Sequence, residues 1–230
     1  MEKYLRHLTE RDVAILAFVA RYRVGTNDLL ARAIFENACS LANVDRVVRR
    51  LERRRLLSSV ELDATRRYFV LTRRGYIALE LEPRTPRALT EQSLPVVLAI
   101  AYYCVGHELQ RFTNQEFRES YPELWRPGLR SSNYVLVETS EGVQLEMLIV
   151  DRGGAARRIR SRVRRVLNQR ESLPAFASLI RSGRFRIRVL TGTAVQEAKI
   201  NRQVEGGPFL PVEVAAEVIG KLSEWFFLKR

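Results

Sequence analysis

Apolar and polar positions follow two rhythms along this chain, and the switches between them predict its elements. In "LTERDVAILAFVARYRVG" (8–25) Val13, Leu16 and Val19 recur at helical spacing, flanked by Ile15 and Phe18. Thr9 holds the N-cap position with Asp12 three residues on, a capping-box arrangement, and Gly25 is the expected stop. Thr26 caps a second, short helix with Leu29, Leu30 and Ile34 inward. A polar turn leads to Ser40, a good N-cap for a third helix over 41–56. Leu41, Val44, Val47, Val48 and Leu51 share its apolar side. The rhythm then shortens to two: "LLSSVEL" and "RRYFVL" read as strands around a turn at 63–65. Thr72 opens a fourth helix.

Beyond residue 82 the pattern restarts. "EPRTPRALTEQ" carries Pro83 and Pro86 and little apolar content, so 83–92 is the expected linker between a domain at 1–82 and another at 93–230. A long buried helix is predicted from Leu94 to about Leu109, with His107 near its end as a structural residue. Two strands follow around Glu141-Gly142. The next helix, "GGAARRIRSRVRRVLNQR", turns Ile159, Val163, Val166 and Leu167 inward. "RFRIRVLTG" is a strand, and Thr193 caps another helix. After Pro211 a terminal helix is predicted, because Ala215, Val218, Ile219, Leu222, Trp225 and Phe226 repeat at helical spacing. So aromatic a stripe must be covered, by its own domain or by a second copy; Leu222, Trp225 and Phe226 are the candidate dimer contacts.

Charge sharpens this picture. The formal net charge is +13, and arginine supplies 35 of the 39 basic residues. Such a balance favours a polyanionic partner, although a GC-rich genome gives the same arginine bias. The excess is concentrated in two places, net +5 over 1–82 and net +7 over 151–170, on either side of a segment that is net −2. On the third helix Arg46, Arg49, Arg50 and Arg53 lie within roughly 60° of Arg46 around the axis. That face accepts like-charge repulsion which interspersed acids would have relieved. It is either built to meet an anion or an unusually basic solvated face.

The order helix, helix, helix, hairpin, helix in about 80 residues is that of a winged helix-turn-helix, in which the third helix enters the DNA major groove. Ser40, Asn43, Arg46 and Arg50 would then be nearest the bases, with Arg49 and Arg53 on the same face. Thr65, Arg66 and Arg67 of the hairpin would approach phosphate. In the second basic cluster Arg158, Arg162 and Arg165 share one side and are candidates for sequence-independent phosphate contact.

"LTERDVAILAFVARYRVGTNDLLARAIF", "RRYFVLTRRGYIAL" and "LIVDRGG" before an amphipathic helix together resemble the bacterial replication-relaxation family, found on plasmids and other mobile elements. The resemblance implies an α+β chain: a winged helix followed by a domain similar to the restriction-endonuclease fold, an α/β/α unit around a mixed sheet. That fold can carry a metal-dependent nuclease site, with paired carboxylates for Mg²⁺ and a lysine to orient water. This chain departs from that pattern. Asn133 stands where the first aspartate is expected, Ile149 and Val150 precede Asp151, and no lysine occurs between Lys3 and Lys199. The domain is therefore expected to be degenerate, without catalytic residues. A metal-dependent nuclease using Glu138, Glu146 and Asp151 is the alternative from the enzyme class. A third possibility is an interaction module whose arginines bind RNA or an acidic protein.

Cys39, Cys104, His7 and His107 form no zinc-spaced set, so neither metal nor cofactor is expected. No G-x-S-x-G, P-loop or H-E-x-x-H motif occurs. The first residues contain no apolar signal core, and the longest apolar run, 94–105, is too short to span a bilayer. The expectation is a cytoplasmic regulator of transcription or replication that occupies double-stranded DNA as a homodimer.

Overall fold

A computed structural model of the chain describes residues 8–35, 40–62, 65–85, 87–129, 133–140, 142–205 and 209–223. The fold is mixed, with helices and strands in two compact units, 1–101 and 102–230.

The first unit begins with α1 (Glu10–Tyr22), α2 (Asn27–Ile34) and α3 (Leu41–Arg53). The hairpin β1 (Leu57–Glu61) and β2 (Arg67–Leu71) follows, then α4 (Arg73–Ala78). Local chemistry sets the boundaries. Thr9 and Asp12 form the reciprocal capping box on α1, while Thr26 and Thr72 accept from the third backbone N–H of α2 and α4. A Schellman arrangement ends α3 three residues before the expected stop. Leu56 N donates to Leu51 O and Arg55 N to Glu52 O, with Arg55 at φ 56°. Ile15, Leu16, Val19, Leu30, Val44, Val48, Leu51 and Phe69 are fully buried and bring the three helices onto the hairpin. Two residues assigned inward by periodicity face out instead: Val13 is 37% and Leu41 53% exposed. Both lie in the first turns of their helices, where fewer neighbours converge.

Gly75 sets how closely α4 approaches β1. A Cβ there would lie 2.3 Å from the backbone oxygen of Leu56 and 2.8 Å from the Leu71 side chain. A backbone oxygen cannot rotate away, so any side chain must lift the helix. Gly75→Ala is expected to destabilise the chain by about 1–3 kcal/mol, the usual range for overpacking, despite alanine's better helix propensity. Urea denaturation measures it, and an unchanged or higher midpoint would refute the close approach.

The helix α5 (Leu94–Gly106) carries the chain across the boundary and ends somewhat short of its expected stop. The second unit continues with α6 (Asn114–Ser120), a 3-10 turn (Pro122–Leu124), β3 (Tyr134–Thr139) and β4 (Gly142–Val150). It closes with α7 (Ala156–Glu171), α8 (Pro174–Arg181), β5 (Phe185–Thr191), α9 (Ala194–Val204) and β6 (Glu213–Val218). The sheet order is β3-β4-β5-β6, antiparallel in the first pair and parallel in the other two. Parallel neighbours require crossovers, here supplied by α7 with α8 and by α9. One sheet face carries Tyr134, Leu145, Met147, Ile149, Ile187 and Val189 into a core with the inner sides of these helices.

The C-terminal segment differs from the expected helix. Residues 213–218 form β6, paired in parallel with β5 from Arg186↔Glu213 to Thr191↔Val218. Val212, Val214, Val218 and Ile219 are β-branched, and pairing with the edge of β5 outweighs the helical spacing of this short stretch. Leu222 is fully buried, so it is core rather than a surface for a second copy. Trp225 and Phe226 lie outside the described residues. No helix among the described residues is long and apolar enough to cross a membrane.

Candidate nucleic-acid interface

The outward face of α3 is built as its spacing requires. Val44, Val48 and Leu51 are fully buried, and Ser40, Asn43, Arg46, Arg49, Arg50 and Arg53 are exposed. Ser40 occupies the N-cap position. Arg46 Nη1 donates to Asn43 Oδ1 over 3.3 Å, so an amide and a guanidinium stand together at the exposed start of the helix. Arg53 has no partner among the described residues.

The neighbouring arginines are held. Arg50 Nη2 pairs with Asp12 Oδ1 at 2.5 Å, and that carboxylate is 1% exposed. Asp12 Oδ2 accepts from Thr9 N, so one aspartate caps α1 and anchors α3. Arg49 Nε pairs with Asp45 at 2.7 Å, one helical turn away, and Arg67 Nη2 reaches the other oxygen of Asp45 at 2.5 Å. Asn27 of α2 also donates to Asp45, at 3.4 Å. Burial by itself would raise the Asp45 pKa; the Arg67 and Asn27 hydrogen bonds and the two positive charges outweigh it and hold the carboxyl below its ordinary value. Arg67 lies 3.8 Å from Glu52 and stacks over Phe69. Asp45 therefore joins α2, α3 and β2, fixing the base of the hairpin beside the exposed face. Thr65 is exposed near the hairpin tip and Arg66 is half-buried. Sequence reasoning misses Asp12 and Asp45 as organisers. Locally Asp12 shows only as the capping-box partner of Thr9, and Asp45 only as the residue four before Arg49.

This geometry redefines Arg50. Its loss would strand a buried carboxylate, so Arg50→Ala is expected to cost about 1–3 kcal/mol of folding stability. Arg53→Ala, without such a partner, is expected to leave stability nearly unchanged. Thermal melting of both variants checks this, and equal melting temperatures would contradict the anchoring role.

On α7 the expected triplet lies along one flank. Arg158 and Arg165 are exposed, but Arg162 is drawn in, its Nη1 donating to Val150 O over 2.9 Å. A shallow groove along the helix is lined by Ser161, Arg164, Arg165, Asn168 and Gln169.

The three carboxylates of the nuclease alternative do not converge. Glu146 lies opposite Val135, so Glu138, three residues along β3, faces the other side of the sheet. Asp151 is buried beyond the end of β4 and accepts from Gly153 N at 3.2 Å. Among the described residues no three His, Cys, Asp or Glu side chains are grouped to hold a metal. Glu146 is fully buried in a polar network instead. Tyr103 Oη donates to its Oε1 over 2.5 Å. Arg186 Nε stands 2.6 Å from Oε2 without an aligned hydrogen bond, and Arg188 Nε stands 3.4 Å away. Burial, then the Glu146 charge, push the Tyr103 phenol far above its ordinary range, so it stays a proton donor. Burial opposes the charge on Arg188, but Glu146, with Tyr103 and Glu217, raises its pKa. His107, which the sequence places as structural, is exposed with Nε2 2.6 Å from Glu217 Oε1 and its ring against Tyr103.

No protein-family model, curated protein or solved structure matches the chain.

Proposed function

We propose that this chain is a sequence-specific double-stranded-DNA-binding regulator that controls transcription or replication by occupying its site. In this reading residues 1–82 act as a winged helix-turn-helix, α3 as the recognition helix and β1–β2 as the wing. The observation that carries it is the exposed Asn43–Arg46 pair at the start of α3, backed by an apolar side that is fully buried at Val44, Val48 and Leu51. Amide and guanidinium groups are the side chains that read adenine and guanine edges in the major groove. Arg50 and Arg67 then serve mainly to hold helix and hairpin in place, while Arg46 and Arg53 remain for DNA.

The second unit is read as a degenerate restriction-endonuclease-like domain, supported by a mixed sheet with crossover helices and by carboxylates that serve structure. The resemblance to the replication-relaxation family adds a mobile-element setting. The homodimer remains a proposal without a described surface, since Leu222 is core; sedimentation velocity decides it.

Selection of duplexes from a random pool by the full chain tests the function. A reproducible enriched motif is expected, and a pool that stays random after repeated rounds would refute sequence-specific reading.

A further inference from the structure

We propose that the exposed row Arg157, Ser161, Arg164 and Asn168 of α7, flanked by Arg160 and Arg165, is a second binding surface, engaging the phosphate backbone of double-stranded DNA irrespective of sequence. The inference rests on duplex DNA being the partner. It does not require that α3 read it.

The position of the row follows from the helix itself. Ile159, Val163, Val166, Leu167 and Arg170 are buried, and at about 100° per residue the side opposite them carries Arg157, Ser161, Arg165 and Asn168, with Arg158 and Arg164 on its two edges. Of the flank carrying Arg158, Arg162 and Arg165, only Arg162 turns away from this side. Arg157 and Arg164 are about 10 Å apart along the axis. A duplex presents one negative charge per roughly 1.7 Å of its length, so a row this long can meet several phosphates.

Charge complementarity selects the occupant. Arg157, Arg158, Arg160, Arg164 and Arg165 are exposed, and none has a carboxylate partner among the described residues. On α3, by contrast, Arg49 and Arg50 are both ion-paired. The first turn of α7 contains no acid and its N-cap, Ala155, supplies no side-chain cap. Arg157 and Arg158 therefore sit at the positive end of the helix dipole, where cations are unfavourable. Arg160 and Arg164 repel one another one turn apart. Bound phosphate relieves each of these penalties. Amide groups at Asn168 and Gln169 line the adjoining groove and can bond the same oxygens, beside Ser161, whose hydroxyl donates to Arg157 O. An anionic membrane fits less well, because the exposed row offers no apolar side chain to insert.

The test uses the full chain and unrelated mixed-sequence duplexes. Arg157→Gln/Arg160→Gln/Arg164→Gln is expected to weaken every duplex by a similar factor, about tenfold or more near 0.1 M salt. The slope of log K against log salt should shrink by about 0.9 for each phosphate no longer neutralised. The corresponding triple lysine variant should restore most of the slope. Arg118→Gln/Arg181→Gln/Arg202→Gln, which removes equal charge elsewhere in the same unit, should have a much smaller effect. Circular dichroism of all three variants should match the wild type. An unchanged slope in the glutamine variant, an equal loss in the charge-matched control, or a natively folded lysine variant as weak as the glutamine one would each overturn the proposal. Loss of binding to phosphatidylserine-containing vesicles with duplex binding intact would overturn it in favour of a lipid surface. Should Arg46→Ala/Arg53→Ala leave discrimination between duplexes unchanged while the α7 variant still weakens them all, the α3 reading falls and this one stands.

Discussion

Glu146→Ala is expected to destabilise the chain by about 3–5 kcal/mol, among the largest effects of any single polar change. The carboxylate is fully buried between two arginines whose side chains are only 13% and 17% exposed. Guanidinium stays charged at any ordinary pH, so removing the anion leaves Arg188 with the more distant Glu217, 3.9 Å away, and takes from Arg186 its nearest carboxylate in a poorly hydrated site. Tyr103 loses its acceptor at the same time. Glu146→Gln keeps the shape and one acceptor oxygen but not the charge, and should fall between wild type and alanine. Tyr103→Phe removes one donor and should cost less than either, about 1.5–3 kcal/mol for a hydrogen bond to a charged group. Chemical denaturation orders the three variants. If Glu146 were a metal ligand of an active nuclease, its removal would abolish metal-dependent DNA cleavage and leave stability largely intact, the opposite pattern.

Leu222→Ala is expected to cost about 2–5 kcal/mol, and Leu222→Asp to unfold the second unit. The side chain is fully buried just after β6, and its N–H donates to Ile219 O. Truncation therefore removes apolar packing and leaves a void, and a carboxylate there would be buried without a paired cation. Sedimentation of the alanine variant should match the wild type whatever the wild type's state, because this leucine faces inward. A variant that keeps full stability but changes its association state would return Leu222 to a surface between copies.

The elements legible in the sequence are those with a local signature. The helix α3 announces itself through Ser40 and the repeat of Val44, Val48 and Leu51; α7 does so through Ile159, Val163, Val166 and Leu167. The hairpin shows in its alternation and turn, and the capping threonines mark four helix starts at Thr9, Thr26, Thr72 and Thr193. The tail is not legible, because Val214, Ala215, Val218, Ile219 and Leu222 satisfy helical spacing while the decisive partner, β5, lies more than twenty residues earlier. Sequence reasoning misses α6 and α8 although both are legible: each is only two turns long, yet Thr113 and Glu116 form a capping box on α6, and Pro174 opens α8 with Phe176 and Ile180 buried one turn apart. The exposed face of α3 is legible as a face, but its division of labour is not. Arg50 and Asp12 are 38 residues apart, and Arg67 and Asp45 are 22, so nothing local reveals which arginines are held and which remain available. The same separation hides the company that Glu146 keeps across β4, β5 and α5.

The central claim is that α3 reads base edges, and Arg46 is where it is most exposed to test. The measurement is equilibrium binding of the full chain and of Arg46→Ala to the selected duplex, to each of its single-base variants and to a random duplex. The account predicts that Arg46→Ala loses about 1–3 kcal/mol on the selected duplex and little on the random one, with discrimination lost at one guanine position. A natively folded Arg46→Ala that keeps wild-type affinity and the full pattern of base preference would contradict it.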